Sequence, residues 1–125
     1  MMKKEMARNV FGTELKSCNN DPVTGFFRDG SCNTDETDFG SHTVCAVMTE
    51  DFLTFSLDQG NDLITPRPEY RFPGLGPGEK WCLCALRWKE AFIAGKAPLV
   101  DLEATHERAL EVIDLEDLVA HAVKK

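Results

Sequence analysis

The sequence predicts an α+β fold, a small single domain in which a short mixed or antiparallel sheet carries three to four helices. Three observations support that reading. β-rich, mostly apolar runs at 42–48 and 99–104 read as strands. Apolar residues at helical spacing, bounded by cap and stop residues, occupy 50–59, 79–94, 106–112 and 115–123. A length of 125 residues suits one core and leaves little room for a second.

Residues 1–8 are charged and are expected to form a flexible N-terminus ahead of a globular domain over 9–123. Asn19-Asn20-Asp21-Pro22 signals a turn. Residues 24–32 read as a hairpin around Asp29-Gly30, a dipeptide that tolerates the positive φ angles of a tight turn. Residues 33–41 are polar and loop-like. After the strand at 42–48, Thr49 is a good N-cap for a helix over 50–59. Glu50 and Asp51 favour its first turn, Gly60 ends it, and Phe52 with Phe55 or Ser56 faces inward. Prolines at 66, 68, 73 and 77 and glycines at 74, 76 and 78 make an irregular, stiffened loop, which Tyr70, Phe72 and Leu75 can pack. The apolar stripe 81, 84, 85, 88, 92 predicts a helix over 79–94, closed by Gly95 and Pro98, with Trp81, Cys84, Ala85 and Trp88 facing the core. Thr105 and Asp114 are placed to cap the last two helices.

Lys plus Arg number 14 and Asp plus Glu 21, a net charge of −7. That balance repels phosphate backbones and argues against nucleic acid as a partner. The charge is uneven: 35–62 holds seven acids and no Lys or Arg, whereas 63–100 holds six bases and three acids. The two stretches are expected either to face each other or to leave the basic one free for a small anion. The longest apolar run, Trp81 to Leu86, is too short for a transmembrane helix or a signal-peptide core, so a cytoplasmic, membrane-free protein is expected.

Five cysteines, at 18, 32, 45, 82 and 84, are too few for a disulfide-built scaffold and cannot all pair within the chain. In a reducing cytosol they are expected as thiols. Candidates for a reactive thiol are Cys32, Cys45, Cys82 and Cys84, with His42 as a candidate base. His42 and Cys45 would fall on opposite faces of a strand, and Arg87 is a helical neighbour of Cys84. His106 and His121 read as structural. No metal site is implied. Cys82 and Cys84 are the pair to consider, with Cys18, Cys32, His42 and Cys45 as further ligands only if the fold converges them. The leading expectation is a site for a small anionic molecule, built from Asn61, Asp62, Thr65 and Arg67 of the stiff loop, Arg28 and Asp29 of the hairpin, and Arg87. A thiol or redox enzyme and a Cys/His metal-binding protein are the alternatives. No cofactor motif is present.

Several strings together carry a resemblance. They are Asn-Val-Phe-Gly at 9–12, Thr-Gly-Phe-Phe-Arg-Asp-Gly-Ser-Cys at 24–32 and His-Thr-Val-Cys-Ala-Val-Met-Thr at 42–49. Gly-Asn-Asp-Leu-Ile-Thr-Pro-Arg-Pro at 60–68, Phe-Pro-Gly-Leu-Gly-Pro-Gly at 72–78, Trp-Cys-Leu-Cys-Ala at 81–85 and Ala-Thr-His-Glu at 104–107 complete the set. From about Asn9 to Ala122 the chain resembles a widespread bacterial family of short proteins known as a domain of unknown function, with Phe11 standing where Leu is expected. The resemblance implies one intact domain and brings no activity, cofactor or catalytic residue with it.

Overall fold

The computed structural model describes residues 7–20 and 23–123. Its centre is β1 (Val44–Val47), the middle strand of an antiparallel sheet ordered β2-β1-β3. β2 (Lys80–Leu83) and β3 (Leu99–Val100) flank it. The register sets Val44 against Leu83, Cys45 against Cys82 and Ala46 against both Trp81 and Val100. Because side chains alternate along a strand, the two faces part company here. Val44, Ala46, Leu83 and Val100 join the main apolar core, whereas Cys45 and Cys82 join a second cluster with Cys18, Cys32 and Ala104.

Three α-helices are found among the described residues. In α1 (Glu50–Asp58) the Thr49 hydroxyl accepts from the Phe52 N–H at 3.1 Å, Phe52, Leu53 and Ser56 are buried, and Gly60 leaves the helix at φ +88°, as the spacing predicts. α2 (Ala85–Ile93) buries Ala85, Trp88 and Ala91. α3 (Leu115–Ala120) follows Asp114 and buries Leu118. Trp88 is fully buried, stacks on Phe92 at 5.4 Å and donates its indole N–H to the Pro98 carbonyl at 3.2 Å. No helix among the described residues is long and apolar enough to cross a membrane.

The predicted 79–94 helix is two elements. Residues 80–83 pair with β1 as a strand, and only then does the chain turn helical. Trp81 is therefore at the edge of the core, and Cys84 is the residue at the junction. No strands form at 24–32: the Asp29 carboxylate caps the Ser31 N–H at 3.0 Å inside a run of bends, and the paired turn is replaced by a folded loop. The 99–104 strand stops at Val100, and Leu102–Ala104 forms a 3₁₀ turn. Tyr70 is exposed, leaving Phe72 and Leu75 to anchor the proline-rich loop. No Lys or Arg of 63–100 forms an ion pair with an acid of 35–62 among the described residues; the basic side chains pair instead as Lys80–Asp101 and Arg87–Glu90. Of the expected flexible segment 1–8, residues 1–6 lie outside the described residues, while Arg8 accepts a backbone bond from Glu107 at 2.9 Å. Asp21 and Pro22 of the expected turn also lie outside them.

Two buried side chains organise the N-terminal segment. Asn9 donates to the carbonyls of Glu14 and Glu103 and accepts from the N–H groups of Phe11 and Thr13. His106, rather than Thr105, caps the 3₁₀ helix Glu107–Glu111, its Nδ1 accepting from the Arg108 N–H at 3.0 Å.

Replacing Trp88 by Ala removes both the stacked ring and the bond to Pro98. We expect a loss of about 3–5 kcal/mol in denaturant unfolding. A second expectation concerns pH. Burial, outweighing the pull of Glu107, holds the His106 imidazole below its ordinary 6.5. The unfolded chain therefore takes up this proton first, so the stability tied to neutral His106 is complete above about pH 6.5 and declines as pH falls below it. Melting temperatures measured between about pH 7 and pH 5 should fall more steeply for the parent than for His106→Asn, whose amide oxygen can accept the same capping bond without taking a proton.

Candidate functional site

A cleft of about 480 Å³ opens where four segments meet. The 25–28 loop contributes Phe26 and Arg28, and the chain entering β1 contributes His42. The loop after α1 brings Asn61 and Leu63, while β2 and the start of α2 bring Trp81, Cys82, Leu83, Cys84 and Arg87. No Asp or Glu among the described residues lines it. In a chain of net charge −7 this is a local reversal of sign, with two guanidinium groups and an imidazole on one concave surface.

Each group is held for an identifiable reason. Arg28 takes a left-handed backbone at φ +56°, which turns its guanidinium over the Trp81 ring at 5.4 Å. Arg87 lies in the first turn of α2, with its Nη1 donating to the Gln59 carbonyl at 3.3 Å and approaching Glu90 at 3.4 Å. The Asn61 backbone is clamped to Ser56 on both sides, its N–H donating to the Ser56 carbonyl and its carbonyl accepting from the Ser56 hydroxyl at 2.7 Å.

His42 is oriented by a buried carboxylate. Asp38 Oδ1 lies 2.7 Å from His42 Nδ1, and Asp38 Oδ2 accepts from the His42 N–H at 2.9 Å and the Thr34 hydroxyl at 2.8 Å. Burial alone would raise the Asp38 carboxyl, but the bonds from His42 and Thr34 outweigh it and hold the group below the ordinary carboxylate range. Gly40 makes room for the ring: a Cβ there would stand 2.9 Å from His42 Cε1. With Nδ1 engaged, Nε2 is the ring nitrogen left for a ligand or a proton.

Cys84 is the free, half-buried thiol, at the N-cap of α2. The Ala85 N–H donates to the Ser41 carbonyl at 2.9 Å, which pins the strand-to-helix junction beside the segment carrying His42.

The remaining cysteines depart from the expectation of five thiols. Cys18 is joined to Cys45 and Cys32 to Cys82. The sulfurs of Cys18, Cys32 and Cys82 lie within 4.8 Å of one another, and Cys45 faces Cys82 across the sheet. Cys45 donates its N–H to the Thr105 hydroxyl, and its carbonyl accepts from Asp101, so both bonds point away from β2. Cys82 likewise donates to the Thr24 hydroxyl at 2.8 Å. Cys45 and Cys82 thus form a non-hydrogen-bonded cross-strand pair, the geometry in which opposed side chains come closest.

Of the residues singled out in the sequence, the fold brings Arg28, His42, Asn61, Cys82, Cys84 and Arg87 to one cleft. Asp29, Asp62, Thr65 and Arg67 do not line it. Asp62 caps the Ile64 and Thr65 N–H groups, bonds that, with the Thr65 side chain first, lower its carboxyl. Arg67 closes a bridge with Phe72 by two backbone bonds, of 2.7 and 3.1 Å. Cys32 and Cys45 are buried in disulfides, so neither presents a thiol, and Cys82 lines the cleft as a disulfide partner. Asp38, Gly40 and Trp81 were missed as site residues. The string Asp-Phe-Gly-Ser-His offered the one readable signal, a carboxylate four residues before a histidine.

Fold and cleft together define a small α+β domain with a cationic, thiol-bearing cleft on one side of a cysteine-stitched sheet. The chain belongs to the family described as uncharacterized protein conserved in bacteria (DUF2237), which matches residues 8–122. None of the curated proteins compared with it matches.

Proposed function

We propose that this domain binds a small anionic molecule, a carboxylate or a phosphate ester, in the cleft between Arg28 and Arg87. The observation that carries the reading is the cleft's charge: two arginines, His42 and Asn61 converge on it, and no carboxylate of the described residues lines it. Trp81 provides a flat apolar wall beside Arg28, suited to an anion with a planar or hydrophobic body. Guanidinium groups recognise carboxylate and phosphate oxygens in forked pairs, which favours these classes over a soft halide. The test is a thermal-shift and calorimetric screen of phosphate monoesters and small mono- and dicarboxylates. A hit is expected to lose at least about tenfold in affinity in Arg28→Ala and in Arg87→Ala, each removing a charge-assisted pair. Both positions are at least partly exposed, so the variants should fold. Affinities unchanged in both variants, or a screen without a hit, would overturn the reading.

One observation favours a second reading, thiol chemistry at Cys84. The free thiol shares the cleft with an imidazole that Asp38 orients, an arrangement suited to nucleophilic attack on an electrophilic carbon or sulfur. Alkylation by iodoacetamide near neutral pH, followed by peptide mass spectrometry, is expected to modify Cys84 faster than free cysteine, and His42→Ala should slow it several-fold. A Cys84 no faster than free cysteine, or indifferent to His42→Ala, would retire this reading.

A further inference from the structure

We infer that the four cysteines behind the sheet form a metal site, and that after reduction of the two disulfides they hold one zinc ion as a tetrathiolate. The argument starts from position. A crosslink restrains the unfolded chain wherever it is placed, so stabilisation alone gives two disulfides no reason to converge. Here the sulfurs of Cys18, Cys32 and Cys82 lie within 4.8 Å of one another, and Cys45, bonded to Cys18, stands opposite Cys82 in the register. The four come from four separate places in the chain: two loops and two neighbouring strands.

A zinc ion with four thiolates at about 2.3 Å needs its sulfurs roughly 3.8 Å apart at the corners of a tetrahedron. The non-bonded pairs Cys18–Cys32 and Cys18–Cys82 are already within about an ångström of that spacing, whereas the Cys45 sulfur stands more than 4.8 Å from at least one of Cys32 and Cys82 and must swing inward from its place opposite Cys82. The bonded pairs must open, which side-chain rotation can supply, since their Cα atoms stand 5.7 and 5.2 Å apart. The donor set is all sulfur and buried, and among the described residues no carboxylate or imidazole joins the close group of Cys18, Cys32 and Cys82. That composition selects a thiophilic ion over magnesium or calcium. Cys84 is the fifth cysteine and lies outside the cluster, in the cleft.

The chemistry balances with a dithiol as reductant. Each disulfide accepts two electrons and two protons and becomes two thiols, while the dithiol closes to its own disulfide. Binding Zn²⁺ then releases the four thiol protons to solvent. Zinc and the disulfides are thus alternative fastenings for the same four segments.

The full chain is reduced anaerobically with a phosphine, and its thiols are counted after denaturing an aliquot. The remainder is loaded with Zn²⁺ or Co²⁺ and desalted. We expect five thiols, one retained equivalent of zinc, and cobalt spectra with intense sulfur-to-metal charge-transfer bands and the ligand-field pattern of a tetrahedral site. Cys84→Ser should leave stoichiometry and spectrum unchanged, while Cys18→Ser and Cys32→Ser should abolish the four-sulfur spectrum. If those variants do not fold, the parent and Cys84→Ser still decide. Five thiols with no retained metal, a cobalt spectrum lost in Cys84→Ser, or disulfides that excess reductant cannot open in the folded chain would each overturn the proposal.

Discussion

The crossing of the Cys18–Cys45 and Cys32–Cys82 links behind the sheet is the constraint on which the rest of the molecule depends. Before Val44 the described residues contain no helix and no strand beyond isolated bridges, so few repeating hydrogen bonds hold this third of the chain. The links close sequence separations of 27 and 50 residues, each worth about 4 kcal/mol in the chain-entropy picture. Set against a typical domain stability of about 5–15 kcal/mol, terms of that size decide whether the segment is ordered at all. Two buried threonines finish the work by satisfying the Cys45 and Cys82 N–H groups, which point away from each other's strand. One of them, Thr24, immediately precedes the loop that carries Arg28, so the crosslinked region and the cleft are built together.

The cleft shows how little a global charge says about a local one. The chain's excess of acid is engaged elsewhere: Asp38 is turned inward onto His42, Asp35 and Asp62 accept from nearby backbone N–H groups, and Glu90 pairs with Arg87 along α2 without lining the cleft. Carboxylates engaged this way do not reach the concave surface, and field lines from Arg28 and Arg87 are focused by its apolar walls. The net charge bears on encounter with large polyanions, whereas binding a small anion depends on the few groups within reach of it.

How much of this was legible in the sequence depended on whether the signal was local. α1 could be read closely, because its cap, first-turn acids and terminal glycine all lie within twelve residues and act through neighbouring backbone. β2 could not, because Trp81, Cys84, Ala85 and Trp88 fit helical spacing even though the first of them belongs to a strand. A short apolar run does not distinguish the two states until a partner strand claims it. The hairpin at Asp29-Gly30 failed for a related reason: the turn chemistry was right, but Thr24 and Cys32 are committed to β2 rather than to each other. The cysteine pairing was illegible outright, since spacing does not determine connectivity. Within the cleft, Arg28, Asn61 and Arg87 stood out as residue types, but their convergence with His42 depended on contacts between segments up to about sixty residues apart.

The spacing of Cys82 and Cys84 gathers these points. On a continuing strand both sulfurs would lie on the same face, and Cys84 would crowd the cluster that already holds four. The chain leaves β2 at Leu83, and Cys84 takes φ −56° and ψ 129° before α2 begins. That break turns its side chain into the cleft and away from the other sulfurs. The Ala85 bond to Ser41 fixes the break against the segment that holds His42. The single intervening residue, Leu83, is buried in the apolar core on the opposite face of the sheet from Cys82 and is the last residue of the strand. Two cysteines one residue apart are thereby assigned different chemistry, one fastened in the sheet's interior and one left as a thiol in a cationic cleft, and what separates them is backbone geometry rather than sequence distance.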